Sequence, residues 1–175
     1  MGADISTEHS PEPVILHVYD LGTSNEMQAV NVVLSAVGTG AFHCGVEVYG
    51  KEWSFNATPK GSGVFHCKPR ECASHTYRES VLMGHTMLGE EDVMVICEQL
   101  KTEWKGISYN MLTRNCCNFC DLFCRRLGVG SIPFWTSSLA GAGAAVQSVY
   151  KVTVSTLYPS LLVGCITGRD EKTER

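Results

Sequence analysis

The chain has 175 residues, of which 44% are hydrophobic and 18% are charged, and its net charge at pH 7 is −4. This length and composition predict one globular domain with an ordinary core. Because phosphate binding depends on clustered Lys and Arg, a net negative chain without a basic run excludes nucleic acid as an expected partner.

The cysteine content and the start of the chain predict the compartment. Nine cysteines is an odd number, and the first residues lack the charged and apolar regions of a signal peptide. We therefore expect reduced thiols and a cytoplasmic protein, with the nucleus as a second location. We expect no cofactor and no bound metal.

Two features concern membranes. Residues 1–6 fit the myristoylation pattern, with Gly2 as the acceptor, and one acyl chain would give only weak peripheral membrane contact. The apolar stretch 152–166 is too short for a membrane span and is interrupted by Pro159. We expect residues 1–12 to form a disordered tail, residues 13–145 a catalytic domain, and residues 146–175 a second tail.

The first predicted elements are a strand, a helix and a hairpin. β-Branched and apolar residues predict a strand over 14–19, in which His17 is expected to be a hydrogen-bonded structural residue. A helix is predicted over about 25–37, capped by Ser24 or Asn25. Strands 42–49 and 52–56 follow, joined by a two-residue type II′ turn at Gly50-Lys51.

The hairpin has a polar and an apolar face. The predicted turn pairs Gly45 with Asn56 and His43 with Thr58. Alternation then puts polar residues on one face and core residues on the other; the polar set is His43, Glu47, Ser54, Asn56 and Thr58, and the apolar set is Val46, Val48, Trp53 and Phe55. The polar face is the one available to a functional site.

The second half of the chain is mostly helical. Two short strands are predicted over 64–67 and 77–83, then an amphipathic helix over 90–104 with Val93, Ile96 and Leu100 facing inward. A further helix begins at a cysteine cluster and ends at Gly128, and another begins at Ile132. Strands in the first half and helices in the second predict an α+β fold.

The cysteine cluster contains Cys116, Cys117, Cys120 and Cys124. The last three are spaced i, i+3, i+7 and are expected to pack in the core on one helix face. A zinc or redox role for the Cys117-x-x-Cys120 motif is the alternative, but its only other pair, Cys67 and Cys72, is a poor match for a zinc site.

Cys116 is the candidate nucleophile. It stands at the first turn of its helix, where the macrodipole and unpaired N–H groups are expected to lower its pKa. His43, on the polar face of the hairpin, is the candidate base for this thiol. The residue types alone do not fix which residue orients the imidazole.

Several motifs resemble a known family. They are residues 43–55, residues 61–69, Tyr109-Asn110-Met111-Leu112, Asn115-Cys116-x-x-Phe119 and Ile132-Pro133-x-Trp135. Over about residues 14–139 the chain resembles the PPPDE family of permuted papain-fold thiol isopeptidases, also called desumoylating isopeptidases, and most closely its deubiquitinating branch. The resemblance implies a permuted papain-like fold, with a small antiparallel sheet or partial barrel packed with helices.

The resemblance also implies an activity. It assigns the catalytic roles to His43 and Cys116 and implies hydrolysis of the isopeptide bond that joins ubiquitin or SUMO to a lysine. Some members of the family dimerise, and some are thioesterases. A protein thioesterase and a weakly catalytic module that binds a ubiquitin-like partner are therefore the alternative functions.

The sequence leaves two features around Cys116 and His43 open. Cys117 stands where the family commonly has an Asn that could donate hydrogen bonds near the site. Asn115, Asn56 and Thr58 are the candidates for orienting the imidazole or stabilising the oxyanion, the last two because the predicted register places them near His43.

Overall fold

A computed structural model describes residues 10–21, 42–111 and 113–136. The described residues form an α+β fold of five antiparallel strands and two α-helices, as predicted. The elements are strands β1 (Glu12–Leu21), β2 (Phe42–Val48), β3 (Lys51–Phe55), β4 (Val64–Cys67) and β5 (His75–Thr86), helices α1 (Glu90–Glu103) and α2 (Cys116–Arg126), and 3₁₀ helices Gly106–Ser108 and Phe134–Thr136. Gly2, the helix predicted over 25–37, and residues 146–175 lie outside the described residues.

The sheet has the order β4-β3-β2-β1-β5, so β1 pairs with a strand on each side. Both faces of β1 are buried. Val14, Leu16 and Val18 belong to the apolar core, while His17 and Tyr19 point to the opposite face with no exposed surface. The strand predicted from this dense run of β-forming residues is confirmed, although it is longer than the predicted 14–19 and its place inside the sheet was not predicted.

The predicted turn of the hairpin is wrong by one residue. Val48 pairs with Lys51, so the loop is Tyr49-Gly50, and both residues have positive φ, 50° and 66°, as in a type I′ turn. A hydrogen bond of 2.7 Å from the Tyr49 hydroxyl to the carbonyl of Leu88 holds the tyrosine in this conformation. Each residue of β2 therefore faces a partner two positions from the predicted one, and such a shift leaves the two faces unchanged.

Both helices contribute to the core on the apolar face of the sheet. In α1 the buried residues are Val93, Cys97 and Leu100, while Ile96, predicted to face inward, is only partly buried. In α2 the predicted core packing of Cys117, Cys120 and Cys124 is confirmed, with exposed fractions of 4% or less. Among the described residues, neither helix is long and apolar enough to cross a membrane.

On the polar face of the hairpin, His43, Ser54 and Glu52 are buried as well. Glu52 has no exposed surface; its carboxylate accepts hydrogen bonds from the Tyr19 hydroxyl, at 2.7 and 2.8 Å, and from the backbone N–H of Arg70, at 2.8 Å. The Arg70 contact ties the segment between β4 and β5 to the sheet. Buried polar groups need such partners, because an unpaired one costs about 1–3 kcal/mol or more.

His17 is the hydrogen-bonded structural residue that the sequence predicts. Its Nε2 lies 2.6 Å from the Glu47 carboxylate, and its Nδ1 lies 2.7 Å from the Ser80 hydroxyl. Glu47, although it shares a face with His43, is therefore engaged by another histidine.

Candidate active site

The start of α2 is fixed by a capping box. The Asn115 side chain accepts from the backbone N–H of Asn118 at 3.0 Å, and the Asn118 side chain accepts from the backbone N–H of Asn115 at 2.9 Å. The Asn115 amide also donates to the carbonyl of Met111 at 2.7 Å. Asn115, a candidate for orienting the base or stabilising an oxyanion, is thus the N-cap that presents Cys116 on the first turn.

The structure brings Cys116 and His43 together. Both are nearly closed to solvent, with exposed fractions of 3% and 4%, and the imidazole lies close enough to act on the pKa of the thiol. The Cys116 sulfur also lies 3.8 Å from the carbonyl of Phe42, the residue before His43. A thiol at a helix start beside an imidazole on a strand is the geometry that thiol nucleophiles use.

The pKa of Cys116 is raised, contrary to the prediction from the helix dipole. A hydrogen bond with Cys117 is the largest cause, followed by burial, which disfavours the charged thiolate. The neighbouring His43 acts in the opposite direction, without cancelling the rise. In the resting site Cys116 is therefore a neutral thiol.

Cys117 belongs to a group of buried sulfur contacts beside Cys116. Its sulfur lies 3.2 Å from the carbonyl of Thr136, 3.6 Å from the Cys44 sulfur and 3.7 Å from the carbonyl of Phe42. The hydrogen bond with Cys116 lowers the pKa of Cys117, but the bond with Cys44 and burial leave it well above the ordinary value. The contact with Thr136 also brings the Ile132-Pro133-x-Trp135 motif to the site.

Replacing Cys117 should activate Cys116. We expect Cys117→Ala to lower the pKa of Cys116, because the substitution removes the largest cause of its rise. A drop of one pKa unit gives about ten times more thiolate below the pKa, and about threefold faster alkylation once the weaker intrinsic nucleophilicity is included. The measurement is the iodoacetamide alkylation rate at Cys116 from pH 6 to 10.

Cys124→Ala is the matched control, because Cys124 is a buried thiol of the same helix and its contacts do not raise the pKa of Cys116. Its alkylation profile should match that of the unaltered chain. A profile for Cys117→Ala that is unchanged, or displaced toward higher pH, would contradict the assignment.

Ser54 determines which nitrogen of His43 is free to accept a proton. The Ser54 oxygen lies 3.1 Å from Nε2 of His43 and donates its single proton to the carbonyl of Cys44 at 2.6 Å. At His43 the hydroxyl can therefore only accept, so Nε2 carries the proton and the lone pair is on Nδ1. Strand alternation predicts that Ser54 and His43 lie on the same face of the hairpin. Because the predicted turn is wrong by one residue, however, the sequence indicates Asn56 and Thr58, rather than Ser54, as the neighbours of His43.

Asn56 and Thr58, the predicted orienting residues, use their polar atoms elsewhere. The Asn56 side chain accepts from the backbone N–H of Ala57 at 2.9 Å, and the Thr58 hydroxyl donates to the carbonyl of Lys60 at 3.1 Å. Both residues line a groove beside the site, of about 410 Å³. The groove also runs past Phe65, Cys72, Ala73 and His75.

Rings surround the His43 imidazole. His75 stacks on it with ring centroids 4.3 Å apart and an interplanar angle of 21°, and Phe65 stacks at 6.4 Å. The Tyr19 ring lies tilted at 5.9 Å. Burial, with a further contribution from His43, lowers the pKa of His75 to about 3 and keeps it neutral.

Three side chains that could bind a metal ion lie close together at His43. One ligand atom from each of His43, Cys72 and His75 lies within 4.8 Å of the others. The sequence predicts no bound metal, and by spacing it pairs Cys72 only with Cys67, as a poor match for zinc. No spacing rule joins Cys72 and His75 to His43, because the segment between β4 and β5 is brought over the sheet by the tertiary contact between Arg70 and Glu52.

Comparison with known proteins decides the family. The family model described as "PPPDE putative peptidase domain" matches residues 12–156. The chain belongs to the PPPDE peptidase family. It is 34% identical over 140 residues to a DeSI-like protein of Arabidopsis thaliana, 30% identical over 143 residues to a desumoylating isopeptidase 1 homolog of Caenorhabditis elegans, and 31% identical over 139 residues to a DeSI-like protein of Schizosaccharomyces pombe.

The alignments span most of this chain but less than two thirds of the length of two of these relatives. The alignments cover 79%, 79% and 78% of the chain, and 60%, 41% and 68% of the Arabidopsis, Caenorhabditis and Schizosaccharomyces proteins respectively. The matched segment contains every described strand and helix, and both His43 and Cys116.

Proposed function

We propose that this PPPDE chain is a thiol isopeptidase that releases SUMO or ubiquitin from lysine side chains, with Cys116 as nucleophile and His43 as base. The observation that carries the proposal is the proximity of these two buried residues, close enough for the imidazole to act on the pKa of the thiol, with Ser54 fixing the tautomer of the imidazole. Membership of a peptidase family supports the reaction type.

The chemistry uses one thioester intermediate. Nδ1 of His43 takes the Cys116 proton as the sulfur attacks the isopeptide carbonyl carbon. Backbone N–H groups at the first turn of α2, which have no acceptor within the helix, stabilise the oxyanion. The imidazolium then protonates the leaving lysine amine, and the C–N bond breaks. Water, deprotonated by His43, hydrolyses the thioester and restores the thiol.

The raised pKa of Cys116 determines the step at which the thiol proton is transferred to His43. Because the resting site contains a neutral thiol, proton transfer to His43 accompanies substrate binding or attack rather than preceding it. Such a site reacts slowly with small electrophiles at neutral pH. Its reactivity then depends on a substrate that occupies the site.

The substrate class is proposed from the relatives and the groove. The Caenorhabditis relative is named a desumoylating isopeptidase, which favours SUMO conjugates. The groove that Gly63 and His75 help to line has a volume of about 410 Å³ and lies beside His43. This groove is the proposed place for the C-terminal Gly-Gly of SUMO or ubiquitin.

Hydrolysis of three substrates tests the proposal: a SUMO–lysine isopeptide, a ubiquitin–lysine isopeptide and an acyl thioester. We expect cleavage of an isopeptide, lost in Cys116→Ser and His43→Ala and retained in Cys97→Ser, which alters a buried thiol of α1. Cleavage of the thioester alone would establish a thioesterase instead. Binding of SUMO or ubiquitin without cleavage would establish a binding module, and either result would overturn the proposal.

A further inference from the structure

We propose that His43, Cys72 and His75 form a binding site for one zinc-class transition-metal ion, and that the bound ion holds the enzyme inactive. The binding itself follows from the geometry of the three side chains. The effect on activity rests on the proposed function, because it requires His43 to be the base.

The three ligand atoms are already close. They lie within 4.8 Å of one another, whereas tetrahedral coordination with ordinary Zn–N and Zn–S bond lengths separates ligands by about 3.3–3.6 Å. The two imidazoles stack in the structure, so His75 has to turn for its lone pair to point at a shared ion. His75 is only partly buried and lines the groove, and the proposal requires its side chain to rotate to complete the site.

The ligands are supported by groups that already hold them. Ser54 accepts the Nε2 proton of His43, the arrangement by which metal-binding histidines are usually oriented. Cys72 is buried on a segment whose backbone is tied to Glu52 through Arg70. His75 begins β5 and is therefore anchored by the sheet.

Ligand chemistry selects the kind of ion. Two imidazoles and one thiolate suit Zn²⁺ or Co²⁺, whereas Mg²⁺ and Ca²⁺ prefer oxygen ligands. On binding, a metal–sulfur bond replaces the S–H bond of Cys72, and the proton leaves to solvent. Three protein ligands leave a fourth position for water or for a group of the substrate.

Competition for one lone pair explains the inhibition. With the Nε2 proton held by Ser54, only Nδ1 of His43 can accept either the Cys116 proton or the metal ion. An occupied site therefore removes the base while Cys116 remains intact. Chelation should restore activity fully, in contrast to oxidation of the thiol.

Metal binding to the full chain tests the proposal without any substrate. Co²⁺ should give an absorption band from sulfur-to-cobalt charge transfer together with the visible bands of tetrahedral cobalt, and Zn²⁺ competing with a chromophoric chelator gives the affinity. We expect Cys72→Ser and His75→Ala each to raise the Zn²⁺ dissociation constant by at least about 100-fold, more than the about 10–100-fold typical of losing an outer-shell partner. His66→Ala, which alters an exposed histidine whose ring lies tilted against that of Trp53, is the control and should bind normally.

The Cys116→Ser variant distinguishes metal binding by His43, Cys72 and His75 from metal binding by Cys116 and His43. It should keep both the Zn²⁺ affinity and the cobalt–sulfur band, because Cys72 supplies the sulfur. Loss of the band in Cys116→Ser with full binding in Cys72→Ser and His75→Ala would overturn the proposal, as would the absence of stoichiometric binding. Metal binding in a chain that cleaves no isopeptide would leave this site standing and refute the proposed function alone.

Discussion

Ser54→Ala should reduce kcat/KM for isopeptide cleavage by about 10–100-fold. In the transition state His43 is an imidazolium, and a hydrogen bond to a charged group contributes about 1.5–3 kcal/mol. Without the hydroxyl, the Nε2 proton loses its acceptor and the imidazole can exchange to the tautomer whose Nδ1 carries the proton. That tautomer cannot accept the Cys116 proton. The measurement is the pH dependence of kcat and KM in the variant.

The loss should fall on kcat rather than on KM, and Ser54→Thr, which keeps the hydroxyl, should restore most of the rate. Ser80→Ala is the matched control, because Ser80 makes the equivalent hydroxyl contact with His17 on the same sheet. It should change kcat/KM little. A Ser54→Ala enzyme with the pH profile and kcat of the unaltered chain would show that the imidazole is oriented by another group.

Gly45→Ala should destabilise the fold by about 1–3 kcal/mol, the usual cost of overpacking a buried site. A Cβ at this position would lie 2.7 Å from Cγ and 2.8 Å from Cδ of Glu52, and closer still to one carboxylate oxygen. Glu52 cannot move aside easily, because Tyr19 and the Arg70 backbone hold its carboxylate in a site with no exposed surface. Urea unfolding followed by circular dichroism measures the loss.

Gly128→Ala provides the comparison. Gly128 has a φ of +82° with nothing within 4 Å of an added Cβ, so only the backbone strain of about 1 kcal/mol should appear. Adding Tyr19→Phe to Gly45→Ala should cost less than the sum of the two single changes, because both act on the same carboxylate. Equal urea midpoints for Gly45→Ala and the unaltered chain would refute the crowding at Glu52.

The features of the fold and of the candidate site that depend on local sequence pattern could be predicted from the sequence. Alternation along the hairpin put His43 on the polar face, and the first turn of a helix was assigned to Cys116; both placements hold in the structure. The capping box could also have been predicted, because it is formed by Asn115 and Asn118, which are three residues apart at the start of the helix. These features need only neighbours in sequence and the periods of strand and helix.

The remaining features depend on contacts between distant segments. The turn was misplaced because Tyr49 adopts a positive φ, which is uncommon outside glycine, while its hydroxyl bonds to Leu88. The helix dipole predicted a lowered pKa for Cys116, but tertiary burial and the neighbouring Cys117 raise it. Cys72 and His75 reach the site on a segment whose path depends on buried Glu52, and no periodicity encodes that contact.

The most direct test of the central claim is the position of a covalent adduct. Four buried thiols, Cys44, Cys116, Cys117 and Cys120, lie close together around the start of α2. SUMO and ubiquitin carrying a C-terminal vinyl sulfone react with the thiol that attacks the scissile carbonyl, and peptide mass spectrometry identifies that thiol. The account predicts one adduct on Cys116, retained in Cys117→Ala, lost in Cys116→Ser and strongly slowed in His43→Ala. An adduct on Cys117 or Cys120, or labelling that persists in Cys116→Ser, would contradict it.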